Sequence, residues 1–303
     1  MFNPKFPMTS TRSSRYLRRT WLSILITLAL LFLFVRLDFS YAPQPRAVAQ
    51  PPKQIPIYIP PFKRKDEVGL VVSKAGDEDI NWVLDFCERF KCTPYIYSLA
   101  DVPEEGYLVP YTNMGHEASA YLSYLVDHYD SLHPYTIFIH GKEEHWHNDV
   151  AGPKTLNQIP NLRFEAIDAK GFVNLRCLSI PGCPNSLYPS IIQQTDIDYQ
   201  YLTDNFPEIY SELFGVDPST APSQLGHKCC GQFAVTRERI QERPWKDYNQ
   251  ILQWVVKAEW SDSYGIGWLM EKLWHVIFGM PPIEFVISSS IVKLIKLMPL
   301  ATF

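Results

Sequence analysis

Apolar and polar residues follow one another along the chain in blocks that predict an alternation of strands and helices. Short apolar runs ending in turn residues predict buried strands, and apolar positions at helical spacing predict helices that cover a sheet. The predicted strands are residues 68–76, 94–100, 135–140, 171–177 and 230–236. The predicted helices are residues 77–90, 116–132, 204–214, 245–257 and 266–278. Strands and helices that alternate at this spacing indicate an α/β sheet with right-handed crossovers.

Near the N-terminus the chain has one long, nearly uninterrupted apolar run. Residues 21–35 contain only two polar members, and flanking apolar residues extend the run to residues 17–39. This length predicts a short membrane-spanning signal anchor. Five basic residues precede the run, which predicts a cytosolic tail of residues 1–16 and a domain in the lumen of the Golgi or the endoplasmic reticulum. A cleaved signal peptide is the alternative, but the small residues 47–49 lie far beyond the apolar run.

Composition changes again after this anchor. Seven prolines in residues 40–65 predict an extended stalk, followed by an α/β domain of residues 66–279 and an apolar tail of residues 280–303. Residues 1–39 hold six of the 28 Lys and Arg and one of the 32 Asp and Glu. The rest of the chain therefore has 22 basic against 31 acidic residues. This balance argues against nucleic acid as a partner.

The chain has six cysteines, at positions 87, 92, 177, 183, 229 and 230. In an oxidising lumen at least one disulfide is expected, with Cys229 or Cys230 as a member. Six cysteines allow fifteen arrangements, and the sequence does not choose among them. Neither Cys229 nor Cys230 has the local signature of a thiol nucleophile, so a structural disulfide is the preferred interpretation.

Three histidines lie within eight residues directly after the third predicted strand: His140, His145 and His147. Ligands of open α/β sheets gather at the carboxyl ends of the strands, so His140 and His147 are predicted to be catalytic residues at a ligand rim. Strand alternation places His140 on the face of Phe138, opposite Ile137 and Ile139. A neutral imidazole there can donate to a phosphate or a sugar and can take up a proton near neutral pH.

The same loop is also a candidate metal site. Residues 145–149 have the form H-x-H-x-D, which makes the two histidines and Asp149 candidate ligands. Val150 stands where the metallo-hydrolase pattern would have a further histidine, so a metal is the second interpretation. Asp196 and Asp198 fit the D-x-D by which nucleotide-sugar transferases hold manganese, but no apolar strand leads into them. A divalent cation such as Mn is the only cofactor that these patterns suggest.

Other strand-end loops and helices would bring further polar side chains to the rim. The start of the helix after residue 116 exposes N–H groups that favour an anion. Glu271, with His275 on the same helical stripe, is a candidate catalytic base if that stripe faces the rim. The predicted ligand-binding residues are Ser73, Glu78, Asp79, Asn113, Glu117, Trp146 and Arg237.

A set of motifs in fixed order resembles a known family. They include V-V-S-K-x-x-x-E-D-x-x-W (71–82), N-x-G-x-E-A-x-x-Y-L (113–122), F-x-H…W-H-N-D (138–149), C-C-x-Q-F-A-V-x-R-E-R-I (229–240) and E-x-L-W-H-x-I-F-G (271–279). Together they look like domain of unknown function 3431, a family common in fungi. The E-A-x-x-Y-L helix, the strand after it and the closing E-x-L-W-H-x-I-F are similar to GT-A-type sugar transferases. This similarity implies a GT-A-like (Rossmann-like) mixed sheet flanked by helices.

The resemblance implies a membrane-anchored, glycosyltransferase-like protein of the secretory pathway. It would transfer a sugar from a nucleotide-sugar donor to a carbohydrate or small-molecule acceptor, and residues 17–39 would hold it in the membrane. A strand-linked D-x-D is missing, and His140 with the loop after it stands in that place. Two alternatives stay open. One is a non-catalytic tethered accessory protein in cell-wall or secondary-metabolite assembly, and the other is a histidine-based metal enzyme.

Overall fold

The computed structural model describes residues 67–178, Leu187 and residues 194–283. The predicted cytosolic tail, membrane anchor and stalk, and most of the predicted C-terminal tail, lie outside these residues. Within the described part of the chain, no helix is both long enough and apolar enough to cross a membrane.

The described residues form five β-strands and nine α-helices. The strands are β1 (Val68–Lys74), β2 (Thr93–Ser98), β3 (Tyr135–His140), β4 (Phe172–Asn174) and β5 (Phe233–Thr236). The helices are α1 (Asn81–Phe90), α2 (Glu117–Asp127), α3 (Thr155–Gln158), α4 (Phe164–Lys170), α5 (Gln200–Asp204), α6 (Phe206–Phe214), α7 (Arg237–Gln241), α8 (Trp245–Lys257) and α9 (Ser263–Ile277).

The five strands make one mixed sheet in the order β2-β1-β3-β5-β4. β1 pairs in parallel with both β2 and β3, whereas β5 runs antiparallel to β3 and to β4. Helices flank the sheet, so the prediction of a mixed α/β fold is confirmed. Because β5 is antiparallel, its first residues lie at the same edge as the last residues of β1 and β3.

Both faces of the sheet are covered by apolar helices. All seven residues of β1 are buried, as expected for a parallel strand between two helical layers. Phe138 packs in the core shared with α2, α8 and α9, while Ile137 and Ile139 pack in the core shared with α1 and α4. The alternation read from the sequence of β3 is therefore confirmed.

Several boundaries differ from the predictions for physical reasons. The helix predicted over residues 204–214 is found as α6, which begins two residues later, and a further short helix, α5, precedes it and ends at Asp204. Pro207 lies in the first turn of α6, where its missing N–H removes no helical hydrogen bond. β5 begins at Phe233, three residues later than predicted, because Cys230 has a φ of 91° that no strand adopts.

Candidate functional site

The carboxyl ends of β1 and β3 meet the segment before β5 at one edge of the sheet. The start of α2 and the middle of α9 reach the same edge. Together these elements bring together His140, Glu117, Cys229, Cys230 and Glu271. We call this group the carboxyl-edge site.

The loop before α2 is fixed on α9, and this sets Glu117 beside Glu271. Gly115 donates its backbone N–H to Oγ of Ser263 at 3.0 Å. A Cβ at Gly115 would lie 2.9 Å from Cγ2 of Ile266, and its φ is 77°. Only glycine combines that backbone conformation with so close an approach, so the contact between loop and helix depends on it.

His140 is tied to the segment before β5 through its ring and its backbone. Its Nε2 lies 3.2 Å from the carbonyl oxygen of Cys230. A carbonyl can only accept a hydrogen bond, so the ring carries its proton on Nε2. The backbone N–H of His140 donates to Oε1 of Gln232 at 3.4 Å. The end of β3 is therefore held against the start of β5 beyond the last pair of the ladder.

The loop of residues 141–154 returns the other two histidines to His140. Ring centroids lie 4.7 Å apart for His140 and His145, 4.1 Å for His145 and His147, and 5.0 Å for His140 and His147. Nδ1 of His147 is 3.1 Å from Nε2 of His140. The structure thus brings the three histidines of this sequence cluster into one group of rings, which we call the histidine cluster.

Asn148 holds this loop in place from inside. Its side chain is buried, and Nδ2 donates to the carbonyl of Pro153 at 2.7 Å and to Oγ1 of Thr155 at 3.0 Å. Its Oδ1 accepts from Nε2 of Gln232 at 3.0 Å. Because Gln232 also accepts from His140, one amide pair connects the histidine loop with the strand ends.

Asp149 and Arg176 hold the loop from outside. Oδ2 of Asp149 accepts from the backbone N–H groups of Cys177 at 2.8 Å and Leu178 at 2.7 Å. Nη1 of Arg176 donates to the carbonyl of His147 at 2.8 Å. The Asp149 carboxylate therefore anchors the loop to the segment after β4, and these contacts give no support to its predicted role as a metal ligand.

Burial lowers the pKa of all three histidines. Desolvation, followed by repulsion from the neighbouring imidazoles, lowers the pKa of His145 to about 4 and that of His147 to about 2. Desolvation also lowers the pKa of His140, against the opposing effects of the Cys230 carbonyl and of Glu271. Contrary to the expectation from the sequence, the lowered pKa values keep these rings from taking up protons near neutral pH. They are neutral hydrogen-bonding groups.

The pKa of Glu271 is shifted in the opposite direction, upward, and burial is again the main cause. Its Oε1 accepts the backbone N–H of Cys230 at 2.6 Å. Burial raises the pKa of Glu271, and the neighbouring Glu117 carboxylate raises it further. Lys272, the Cys230 N–H and His140 oppose this rise in pKa. Glu271 is therefore a carboxyl group moved toward the pH range where it can exchange protons.

Glu117 is the second half-buried carboxyl of the site. Burial raises its pKa, opposed by a hydrogen bond from its own backbone N–H and by His116. A Cβ on Gly231 would lie 3.1 Å from Oε1 of Glu117, which shows how closely this carboxyl approaches the segment before β5. The Glu117 carboxylate itself occupies the start of α2, where the sequence predicted an anion.

Two ring nitrogens at this edge are buried without a hydrogen-bond partner: Nδ1 of His145 and Nε2 of His116. His116 has a φ of 52°, unusual for a residue with a side chain, and its ring centroid lies 4.4 Å from that of Tyr264. Buried polar atoms are normally paired in folded proteins. Unpaired nitrogens near the half-buried carboxyls of Glu117 and Glu271 make this edge a candidate place for a polar ligand.

Four cysteines of the described residues form two disulfides, Cys87–Cys92 and Cys229–Cys230. The prediction of at least one disulfide, with Cys229 or Cys230 as a member, is confirmed. Cys177 is a free thiol whose pKa is raised to about 11, mainly by burial. A thiol with that pKa is a weak nucleophile at neutral pH. Cys183 lies outside the described residues.

Two of the predicted ligand-binding residues adjoin the site through β1. Ser73 is buried opposite His140 in the parallel ladder, and its carbonyl accepts from the N–H of Gly141 at 2.8 Å. Oε2 of Glu78 accepts from the N–H of Ala75 at 2.9 Å and would lie 2.7 Å from a Cβ on Gly141. Burial raises the pKa of Glu78. Glu78 therefore covers the end of β3.

Three other predicted residues have different surroundings. Oδ1 of Asp79 accepts from the N–H of Asn81 at 2.9 Å, so Asp79 supports the first turn of α1. Asn113 is exposed and donates to the carbonyl of Ala100 at 3.2 Å. Trp146 is 67% exposed beside the histidine cluster, where its ring contacts that of His147 with centroids 4.3 Å apart and the Arg176 guanidinium lies 5.9 Å from its centroid. Its predicted contact with a sugar stays a prediction.

Two residues suggested by the sequence are not brought to this edge. Arg237 follows β5 and donates its backbone N–H to the carbonyl of Pro134, which precedes β3, so it lies at the amino ends of the parallel strands. His275 is fully buried, and its ring stacks on that of His227 with centroids 4.5 Å apart. The i, i+4 spacing predicted that the His275 side chain lies near Glu271 along the helix. It could not show that the His275 ring packs against His227 instead.

The candidate metal ligands among the described residues lie in different parts of the structure. Within the described residues, Cys229, Cys230 and Glu271 bring ligand atoms within 4.8 Å of one another. The two sulfurs are bonded to each other, so this is not the oxygen-rich set that manganese prefers. Asp198 is exposed in a short 3-10 helix (Gln194–Tyr199), and the side chain of Asp196 lies outside the described part.

Sequence reasoning missed Gln232 and Arg176, although both carry a signal. Gln232 is a polar residue directly before an apolar strand, and its side chain is 3% exposed. Arg176 follows β4 and is also buried, with 8% exposed. A polar residue at the start or end of an apolar run is often buried with a specific partner, and here both partners lie in the histidine loop.

Comparison with known proteins identifies a family. Residues 70–289 match the family described as "Protein of unknown function (DUF3431)". The match covers more than half of the 303 residues and includes the carboxyl-edge site. No curated protein matches the chain, and no solved structure matches it.

Proposed function

The chain belongs to this family, and since the family description names no activity, we propose one from the carboxyl-edge site. The protein is a glycosyltransferase-like enzyme that transfers a sugar from a nucleotide-sugar donor to an acceptor hydroxyl. Its donor and acceptor bind at the carboxyl ends of β1 and β3, where open α/β sheets hold their ligands.

Glu271 is the observation that carries this proposal. A catalytic base must lie in a site that a substrate can reach and must have a pKa near the working pH. Burial and the Glu117 carboxylate raise the pKa of Glu271, and the Cys230 N–H fixes its Oε1 at 2.6 Å. Carboxyl groups with perturbed pKa values, gathered with histidines at a strand edge, support a functional site, because such groups cluster at functional sites.

The arrangement of the sheet agrees with the GT-A-like interpretation. Three parallel strands in the order β2-β1-β3 are followed by the antiparallel β5, as in a mixed Rossmann-like sheet. The loop after β3, where such transferases carry D-x-D, holds the histidine cluster here. No oxygen-rich cation site lies at this loop among the described residues, so we derive no step through manganese.

The chemistry follows from the positions of these groups. Glu271 takes the proton of the acceptor hydroxyl while the oxygen of that hydroxyl attacks the anomeric carbon of the donor sugar. The new glycosidic bond forms while the bond between that carbon and the donor phosphate oxygen breaks, and the nucleoside diphosphate leaves. Neutral imidazole N–H groups of the histidine cluster donate to the diphosphate oxygens as charge develops on them. The exposed Trp146 ring packs against a sugar at the rim.

The location of the enzyme is part of the proposal. Residues 17–39 anchor it in the membrane, residues 1–16 stay in the cytosol, and the domain works in the lumen of the secretory pathway. The two disulfides agree with an oxidising compartment. The donor in such a compartment is a nucleotide sugar, and the acceptor is a carbohydrate or a small hydroxyl compound.

The test uses the purified full chain in detergent and a panel of nucleotide sugars. Thermal unfolding identifies the donor, since a ligand at 100 times its Kd stabilises the protein by about 2.7 kcal/mol. Release of nucleoside diphosphate is then measured for Glu271→Gln and for Glu259→Gln, a control at an exposed carboxylate. We expect Glu271→Gln to lose about a hundredfold or more in turnover while still binding the donor.

Two results would overturn the proposal. Turnover unchanged in Glu271→Gln would remove this carboxyl from the reaction. Stabilisation by a nucleotide sugar or glycan without any transfer by the unmodified protein would favour the tethered accessory protein instead.

A further inference from the structure

The Cys229–Cys230 disulfide joins two neighbours in the chain. A disulfide stabilises a fold mainly by closing a loop of the unfolded chain, and the stabilisation grows with the length of that loop. Cys229 and Cys230 enclose no residues, so this bond restricts the unfolded chain very little. Cys87–Cys92, in contrast, joins the last turn of α1 to the segment that begins β2. The effect of the Cys229–Cys230 bond must therefore be local.

The local effect is on the backbone of Cys230. Its φ of 91° is a conformation that residues with side chains rarely adopt. In that conformation the Cys230 N–H donates to Oε1 of Glu271 at 2.6 Å, and the Cys230 carbonyl accepts from Nε2 of His140 at 3.2 Å. One peptide segment, held by the disulfide, thus positions two of the titratable groups of the carboxyl-edge site, Glu271 and His140.

The bond is also placed for exchange with a thiol. Cys229 is partly exposed, whereas Cys230 is 2% exposed, so a reductant reaches the sulfur of Cys229 first. A carboxyl oxygen of Glu271 lies within 4.8 Å of both sulfurs. Thiol–disulfide exchange proceeds faster when the leaving thiolate is stabilised or protonated. Glu271 is the nearby group that can supply that proton.

We propose that Cys229–Cys230 is a reversible redox site for dithiol reductants, and that its reduction releases Glu271 and His140 from the backbone of Cys230. The redox chemistry is independent of the proposed function. Only its consequence, a change in sugar-transfer rate when Glu271 loses its fixed position, rests on that function.

The exchange balances in atoms and electrons. A thiolate of the reductant attacks Sγ of Cys229, the bond between Cys229 and Cys230 breaks, and Sγ of Cys230 leaves and takes a proton from Glu271. The second thiol of the reductant then attacks the reductant's sulfur in the mixed disulfide and releases Cys229 as a thiolate, and the proton of that second thiol returns to Glu271. The Cys229 thiolate takes from water the proton that the attacking thiol gave up when it ionised. The products are two protein thiols and the cyclic disulfide of the reductant, and two electrons have passed to the protein.

Reduction removes the link that keeps Cys230 at positive φ. The residue can then return to the negative φ that residues with side chains prefer, which turns its N–H away from Glu271 and its carbonyl away from His140. The hydrogen bond from the Cys230 N–H is the most direct reporter, because its loss exposes one amide to exchange with water.

The experiment compares the full chain in detergent before and after treatment with dithiothreitol. Differential alkylation and mass spectrometry identify which cysteines are reduced, and hydrogen exchange measures the peptide that contains the Cys230 amide. We expect Cys229 and Cys230 to be alkylated at a lower reductant concentration than Cys87 and Cys92. Exchange at the Cys230 amide should accelerate about tenfold, as expected when its hydrogen bond is lost.

The double variant Cys87→Ser/Cys92→Ser is the matched control, since it lacks only the other disulfide. It should show the same acceleration at Cys230 after reduction and none before it. Equal exchange at Cys230 in oxidised and reduced protein would overturn the proposal, as would reduction of Cys87–Cys92 first.

Turnover separates this inference from the proposed function. Redox-dependent exchange at Cys230 in a protein with no transferase activity would support the redox site and count against the enzyme. If the protein transfers sugar, and reduction changes neither the transfer rate nor the amide exchange at Cys230, the enzyme is supported and the redox site is overturned.

Discussion

Replacing Asn148 by alanine should destabilise the protein more than any exposed asparagine does. The Asn148 amide is buried and makes three hydrogen bonds, to the Pro153 carbonyl, to Oγ1 of Thr155 and from Nε2 of Gln232. Thr155 and Gln232 are buried as well, so water cannot easily replace the lost partner. The substitution therefore leaves polar groups unpaired in the interior.

The size of the effect follows from these three bonds. Each contributes about 1 kcal/mol net, so the loss in free energy of unfolding is about 3 kcal/mol. For a domain of this size each kcal/mol corresponds to about 2–4 °C in Tm. The expected decrease for Asn148→Ala is therefore about 6–12 °C.

The measurement is thermal unfolding of the full chain, followed by circular dichroism. Asn113→Ala is the control, because Asn113 is exposed and its side chain makes a single hydrogen bond of 3.2 Å. Its Tm should stay within about 2 °C of the original protein. If the two variants unfold at the same temperature, the interior network around Asn148 does not stabilise the histidine loop, and the reasoning fails.

Two further predictions concern acid sensitivity and topology. Because the folded pKa of His147 lies below the unfolded value of 6.5, its stabilising contribution is complete above pH 6.5 and decreases as the pH falls through the acid range. The Tm of His147→Gln should therefore fall less between pH 7 and pH 4 than that of the original protein, and equal slopes would contradict the assigned pKa shift. Protease treatment of intact microsomes should leave residues 66–303 undigested until detergent is added, whereas digestion without detergent would contradict a lumenal domain.

The sequence predicted the sheet well, because its strands are apolar runs with clear ends. β3 was predicted at residues 135–140 and is found there, and the alternation of Phe138 and His140 against Ile139 is confirmed. The antiparallel pairing of β5 could not be read from the sequence. Strand direction depends on tertiary contacts between segments almost 100 residues apart, and no local pattern encodes it.

The candidate site was only partly predictable for the same reason. The histidines were visible because they are close together in the chain. The meeting of Glu117 with Glu271 depends on the close approach of Gly115 to α9, which involves residues about 150 positions apart. Asp149 fits a metal-ligand spacing, but its carboxylate accepts two backbone N–H groups of a distant segment. Sequence spacing shows which side chains could bind a ligand. Only the fold shows which of them already form hydrogen bonds with other parts of the protein.

Desolvation explains both kinds of pKa shift at the carboxyl edge, and the two shifts have complementary chemical effects. Burial favours the neutral form of every group, so it raises the pKa of Glu271 and lowers the pKa of His140 and His147. On the proposed function, the raised pKa makes Glu271 a stronger base for the acceptor hydroxyl. The lowered pKa keeps the imidazoles as neutral donors, which stabilise charge on the leaving diphosphate without holding the substrate in a strong ion pair before reaction. A manganese ion would need ionised carboxylates in a hydrated, oxygen-rich setting. On the proposed function, an edge whose imidazoles stay neutral is therefore suited to sugar transfer by hydrogen-bond donors and one ionisable base, where GT-A-type transferases have D-x-D.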